Sequence, residues 1–388
     1  MPAKQVLGPV ILPLLIAGFL VQALVPMVRI LTSYQALALG HSAETIGIIS
    51  AVFALLPVFL TVVIGRLNDG GALGRVIVCG AAGSLMACLL FWLGPHGLGT
   101  LLLSNALLGI SQTAVLAGLQ VVTTRASSRA HRDSVLGNYM VAISLGQAFG
   151  PLIIGAGHDS PLLAAVPCGA AVLLLATLAV LARRLPQPRA AVHGGALPLG
   201  EIAATRGLWW IIVFGGLCVA AQDLLLAFLP VYAVERGLTP MAVGVLLSVR
   251  AIAAMVSRLL FGRAVRHFGQ MRLALLSAGL GGVAMLALAV PLPVVAVGVA
   301  MAALGFGLGI ALTCSVALTI QIAPPRARGT ALSMRMTAIR LAQFVIPLGA
   351  GVAVAPIGAA GTFALSGVAI LGAAMARPRG AVGQGRRP

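Results

Sequence analysis

Acidic side chains are nearly absent from this sequence: its 388 residues include seven Asp and Glu, and charged residues of both signs make up only 8%. A soluble domain carries roughly a quarter charged residues, so a water-solvated globule is excluded. Aromatic residues, at 5%, supply no cluster able to cage a hydrophobic cation. The five cysteines, Cys79, Cys88, Cys168, Cys218 and Cys314, stand singly in apolar surroundings. Without CxxC spacing or paired histidines they imply neither a disulfide framework nor a zinc site, and the expectation is small core residues. No Gly-x4-Gly-Lys-Ser/Thr run occurs, so ATP drive within this chain is not expected. Six scattered histidines do not make the clustered acid–base site of a membrane enzyme. No soluble output domain suggests a sensor. No cofactor or metal is implied. The first apolar run is too long for an h-region, and no cleavable signal peptide is expected.

Apolar residues are what is present, at 60%, with a mean hydropathy of +1.09. They form continuous runs of about 20, the length that crosses a hydrocarbon core. Continuous rather than alternating runs exclude a barrel, and unpaired backbone groups are intolerable in lipid, so the runs should be helices. Twelve spans are expected at about Val6–Leu31, Ala43–Ile64, Val76–Leu93, Thr100–Thr123, Ser134–Gly155, Pro161–Leu181, Leu208–Val234, Ala242–Phe261, Met271–Val290, Val294–Ile322, Gly329–Val352 and Ile357–Ala376. The Pro- and Gly-rich stretch 184–206 reads as a linker between a six-helix bundle over 1–183 and another over 207–376, with a basic tail at 377–388.

A net charge of +18 on a soluble face would point to nucleic acid. Here 19 of the 25 Lys and Arg fall at the termini or in even-numbered loops, and Arg236 alone lies in an odd one. That asymmetry places both termini in the cytoplasm, with a bacterial inner membrane as the expected setting and lipid rather than nucleic acid as the partner.

The two bundles repeat one another. Gly47 precedes Gly65-Arg66 by 18 residues and Gly244 precedes Gly262-Arg263 by 18, with 197 residues between Gly47 and Gly244. Leu108-Gly109 and Leu304-Gly305 stand 196 apart, as do Leu136, Ala142, Ile143, Gln147 and Pro151 from Leu332, Ala338, Ile339, Gln343 and Pro347. Duplicated helix sets of this kind mark carriers whose halves move about a midplane site.

Gly65-Arg-Leu-Asn-Asp69 followed by Gly74-Arg75 resembles the loop 2–3 signature of the major facilitator superfamily, and Gly262-Arg-Ala-Val-Arg266 resembles its loop 8–9 counterpart. Gly146-x3-Gly150-Pro151-x3-Gly155 resembles the helix-five antiporter motif, whereas Asn105 stands where the superfamily's drug:proton antiporters carry Arg. The resemblance implies an all-α fold of two pseudo-symmetric six-helix bundles. It also implies a proton-coupled secondary transporter acting as a monomer, by alternating access, on a small solute. Gly65, Asp69, Arg75, Gly262 and Arg266 are expected to gate through loop charges and tight helix stops. Gly146 and Gly150 share a helix face that admits a close neighbour, and Pro151 favours a kink.

Ionisable residues at membrane depth are functional candidates. Asp223 is the sole acid expected mid-span and is the candidate proton carrier. Arg250 and Arg340 are expected near mid-depth, Arg258 and Arg335 nearer the cytoplasm, and Arg250, Arg335 and Arg340 are expected to line the substrate cavity with Gln22, Gln112 and Gln222. Arg29, placed at the outer end of the first span, is expected to snorkel. Two arginines against one acid leave a positive excess that an organic anion would satisfy, because the guanidinium fork suits carboxylate. Gln22, Ser111, Gln112, Gln147, Gln222, Thr313 and Gln343 could add hydrogen bonds. Efflux of a small anionic or amphiphilic solute is the expectation, with uptake of an organic anion as the alternative.

Overall fold

The computed structural model describes residues 4–69, 71–95, 97–125, 132–158, 160, 162–185, 205, 207–323 and 328–376. Every element is helical apart from turns, because an all-round apolar segment has no partner for its backbone but itself. In chain order these are α1 (Lys4–Ala38), α2 (Ala43–Asp69), α3 (Leu73–Leu93), α4 (Leu98–Arg125) and α5 (Arg132–Ala156), then a short 3-10 turn (Leu163–Ala165) leading into α6 (Val166–Arg184). The second set is α7 (Leu208–Glu235), α8 (Pro240–Phe268), α9 (Gln270–Ala287) and α10 (Val294–Ile322), followed by the run Arg328–Met375. Gly358, at φ 70° and ψ 173°, interrupts that run; α11 is the arm before it and α12 the arm after. Twelve helices among the described residues are long and apolar enough to span. Large apolar side chains such as Phe59, Leu259 and Val299 stand exposed, as suits an outer surface solvated by lipid.

α10 begins and ends as the sequence predicts; α1, α2 and α8 are longer than predicted. α1 continues through Thr32, Ser33, Tyr34 and Gln35, where the apolar run stops. The hydroxyls there bond inside the helix, Thr32 Oγ1 to the Val28 carbonyl at 2.7 Å and Ser33 Oγ to that of Arg29 at 3.2 Å. Satisfied in this way, they carry the helix beyond Arg29, which lies about 13 Å from its end at 1.5 Å per residue. The expected helix stops at Gly65 and Gly262 are corrected: both glycines lie within helices, and the left-handed residues that end them are Gly71 (φ 95°) and Gly269 (φ 74°). Most of the predicted linker and all of the basic tail lie outside the described residues.

Helices α1–α6 pack on one another, as do α7–α12, and the two sets meet chiefly through α2 on α11 and α5 on α8, with α1 on α7 between them. At the end carrying the termini, Arg184 donates to the Pro9 carbonyl at 2.6 Å and Trp210 to that of Ala373 at 2.8 Å. At the far end the sets close through glycines. A Cβ on Gly47 would lie 2.7 Å from Gly351 Cα and from the Pro347 carbonyl oxygen. A Cβ on Gly244 would lie 3.1 Å from Gly155 Cα and 2.6 Å from the Pro151 carbonyl oxygen. Gly244 follows Gly47 by 197 residues, while Gly351 and Pro347 follow Gly155 and Pro151 by 196. One backbone-on-backbone contact is therefore built twice, once by each copy of the repeat. Only glycine lets helices approach this closely.

Candidate functional site

Asp223 lies midway along α7, facing α1. Arg29 Nη1 donates to its Oδ1 at 3.0 Å, an ion pair joining the two helix sets. The second carboxylate oxygen accepts from Gln343 Nε2 on α11. Arg29 also donates to Ser50 Oγ at 2.7 Å and stacks over Phe53 at 4.6 Å, both on α2. At 4% exposure Arg29 does not snorkel, and that expectation is corrected. The extra turns of α1 put it too far from the helix end to reach the interface, so it satisfies its charge inward.

Arg250 and Arg340 do not pair directly with Asp223: Arg340 reaches it through the Gln343 amide, and Arg250 bonds the neighbouring Gln222. Arg250 Nη1 donates to Gln222 Oε1 at 3.3 Å, and its Nε has no partner. Arg340 Nη1 donates to Gln343 Oε1 at 3.0 Å, so Arg340, Gln343, Asp223 and Arg29 form a continuous chain from α11 through α7 to α1. The Asp223 charge acts on both outer arginines. Nothing in the sequence pairs Arg29 with Asp223, whereas Gln343 stood out by its place in the repeat and as a polar side chain within a span.

Other candidates fall elsewhere. Arg335, 4% exposed, donates from Nε to Ser315 Oγ at 3.3 Å within the second set, beside Gly215. Arg258 crosses between sets to Ser144 Oγ at 2.9 Å, and Ser248 Oγ reaches the Ala148 carbonyl at 2.6 Å on the same α8–α5 seam. Gln22 and Gln112 bond each other at 3.3 Å between α1 and α4. Asn105 is buried, donating to Thr32 Oγ1 at 3.2 Å and the Leu101 carbonyl at 2.9 Å. Gly146 and Gly150 lie against the α1 backbone around Phe19 and Ala23, inside the first set, while the carbonyl of Pro151 belongs to the seam between sets. Arg75, Gly262 and Arg266 are exposed, nothing crowds Gly65, and the Asp69 side chain lies outside the described residues. No group of three or more His, Cys, Asp or Glu that could hold a metal occurs among the described residues.

A sequence profile described as the Major Facilitator Superfamily matches residues 11–347 and, overlapping, 246–379. Among solved structures, a mutant of the nucleoside transporter NupG is similar at a TM-score of 0.79 and 14% identity, covering 95% of this chain and 100% of its own. A bacterial homolog of the human lysosomal transporter Spinster, described as inward-facing and unoccupied, gives 0.72 at 15% identity, with 96% and 95% covered. The human organic anion transporter MFSD10 gives 0.67 at 17%, with 97% and 99% covered. No curated protein matches the sequence.

Proposed function

This chain belongs to the major facilitator superfamily of secondary transporters, and from that premise we propose that it carries a small organic anion, coupled to protons, by alternating access. The observation that carries this reading is the position of Asp223. Its carboxylate is bound by Arg29 and Gln343 midway along α7, where two more arginines bond, among the described residues, neutral amides. Buried charges without an opposite partner are costly, and an anionic solute answers that cost.

The same geometry supports a coupling route. An anion drawn to Arg250 and Arg340 brings a second negative charge beside the Asp223 carboxylate, which is then neutralised by a proton. Anion and proton then cross together, and an inward proton gradient drives uptake. Export is the second reading, favoured by the helix-five resemblance over Gly146, Gly150, Pro151 and Gly155. The glycine seam supports movement: it joins the sets at the end away from the termini, so rocking the sets about α1 and α7 would part it.

The test uses vesicles of both orientations with an imposed proton gradient and a panel of radiolabelled organic acids. Accumulation following the gradient is expected. Asp223→Asn should abolish that accumulation yet preserve exchange of anion for anion, which needs no net proton movement. Undiminished accumulation by Asp223→Asn would remove the coupling role.

A further inference from the structure

The charges around Asp223 do not balance. Arg29 pairs with this one carboxylate, Arg340 reaches it through the Gln343 amide, and Arg250 is held by the neighbouring Gln222. Asp223 offsets Arg29, which leaves two guanidiniums whose hydrogen bonds among the described residues go to neutral amides. Arg250 is 7% exposed, and its Nε is buried without any acceptor. The edge formed by Nε and one Nη is a face that grips a carboxylate with two parallel bonds. On Arg250 the Nε of that edge has no partner among the described residues. Gln222 and Gln343 hold the two arginines by one nitrogen each, which orients them and leaves donors over. Arg258 donates to Ser144 instead, and its charge adds to the positive excess around Arg250. Apolar residues would fill such positions more stably than unpaired cations, so a purely structural role does not account for two of them.

We infer that the transported anion carries two negatively charged groups, a short-chain dicarboxylate, with one carboxylate on Arg250 of α8 and the other on Arg340 of α11. This rests on the reading of the protein as an anion carrier and narrows it. Two guanidiniums on separate helices, each with its own orienting amide, suit two separated carboxylates better than one compact dianion. Both arginines belong to the second helix set, whereas Arg29 reaches in from the first. The dicarboxylate is therefore seated by one half, and the other half contributes through the hold of Arg29 on Asp223.

The experiment measures equilibrium binding to the purified full chain in lipid nanodiscs at pH 7, using succinate, butyrate and phosphate as probes. Succinate is expected to bind at least tenfold more tightly than butyrate, and phosphate to bind weakly. Arg250→Gln and Arg340→Gln should each collapse the succinate-to-butyrate ratio toward one, with Arg250→Lys recovering it in part. Equal binding of succinate and butyrate by the unaltered protein overturns the inference while leaving the anion reading in place. Phosphate binding more tightly than succinate overturns it in favour of a compact dianion. Binding of neither carboxylate removes the anion reading itself. The comparison on the unaltered protein decides even where a variant fails to fold.

Discussion

Arg29 of α1 holds Asp223 of α7 at 3.0 Å across 194 residues of sequence, the described ion pair that ties one helix set to the other. It sits where α1 meets α7, between the two glycine seams, so a charge change there is felt by both halves.

Removing Asp223 strands the buried Arg29, which costs about 3–5 kcal/mol, and removing Arg29 strands the part-exposed Asp223 carboxylate at a smaller cost. Arg29→Gln and Asp223→Asn should each lower the melting temperature in detergent and reduce the folded yield. The double variant Arg29→Gln with Asp223→Asn should recover most of the stability and still fail to accumulate solute. Recovery of gradient-driven transport in the double variant would make the pair structural only.

Gly244 has no room for a side chain, because the Pro151 carbonyl and Gly155 Cα occupy that space. Gly244→Leu should hold the far end apart. In a background with the native cysteines replaced, Ala227→Cys, buried on α7 one turn beyond Asp223, should then react faster with a membrane-impermeant maleimide. Transport should fall at least tenfold, because a seam that cannot close stops the cycle. An unchanged labelling rate would show that the seam is not a gate.

Glu235, the last residue of α7, accepts from the Ala359 backbone N–H with both carboxylate oxygens at 3.2 Å. This negative charge lies at the start of α12, where helix dipole and free N–H groups favour it. Glu235→Ala should cost about 1 kcal/mol, a typical value for a lost cap, read as a small drop in melting temperature with the transport rate of the folded protein unchanged. Loss of transport at full stability would give Glu235 a role beyond capping.

The distribution of Lys and Arg predicts that both termini and the 184–206 stretch face the cytoplasm. Reporter fusions at Ala191 and after Arg379 should both report that side. An external signal from either would overturn the orientation.

Helix number and placement were legible because burial in lipid leaves one solution for a long apolar run. The Val294–Ile322 helix matches its predicted limits for that reason. The repeat was legible too, since Gly47, Gly244, Pro151 and Pro347 recur at fixed spacing. That these residues form the seam was not: spacing shows that two copies are alike and says nothing about what each touches. The end of α1 was misread because Thr32 and Ser33 look like a polar boundary, whereas their hydroxyls bond within the helix. Arg29 was misplaced as a consequence.

The sequence by itself determined the lipid setting, the twelve helices, the duplication and the scarcity of acids that makes Asp223 stand out. Tertiary structure alone decided which arginine Asp223 takes. Lipid tails and helix interiors are equally apolar, so these helices show no hydrophobic face that would reveal their rotation. Whether Arg29, Arg250 or Arg340 meets the carboxylate depends on how α1, α8 and α11 are turned and how closely they approach α7. Those angles are fixed by backbone contacts at glycines such as Gly305, whose missing Cβ admits the Arg250 carbonyl. The packing gives Arg29 to Asp223, leaves Arg340 one amide away and hands Arg250 to Gln222.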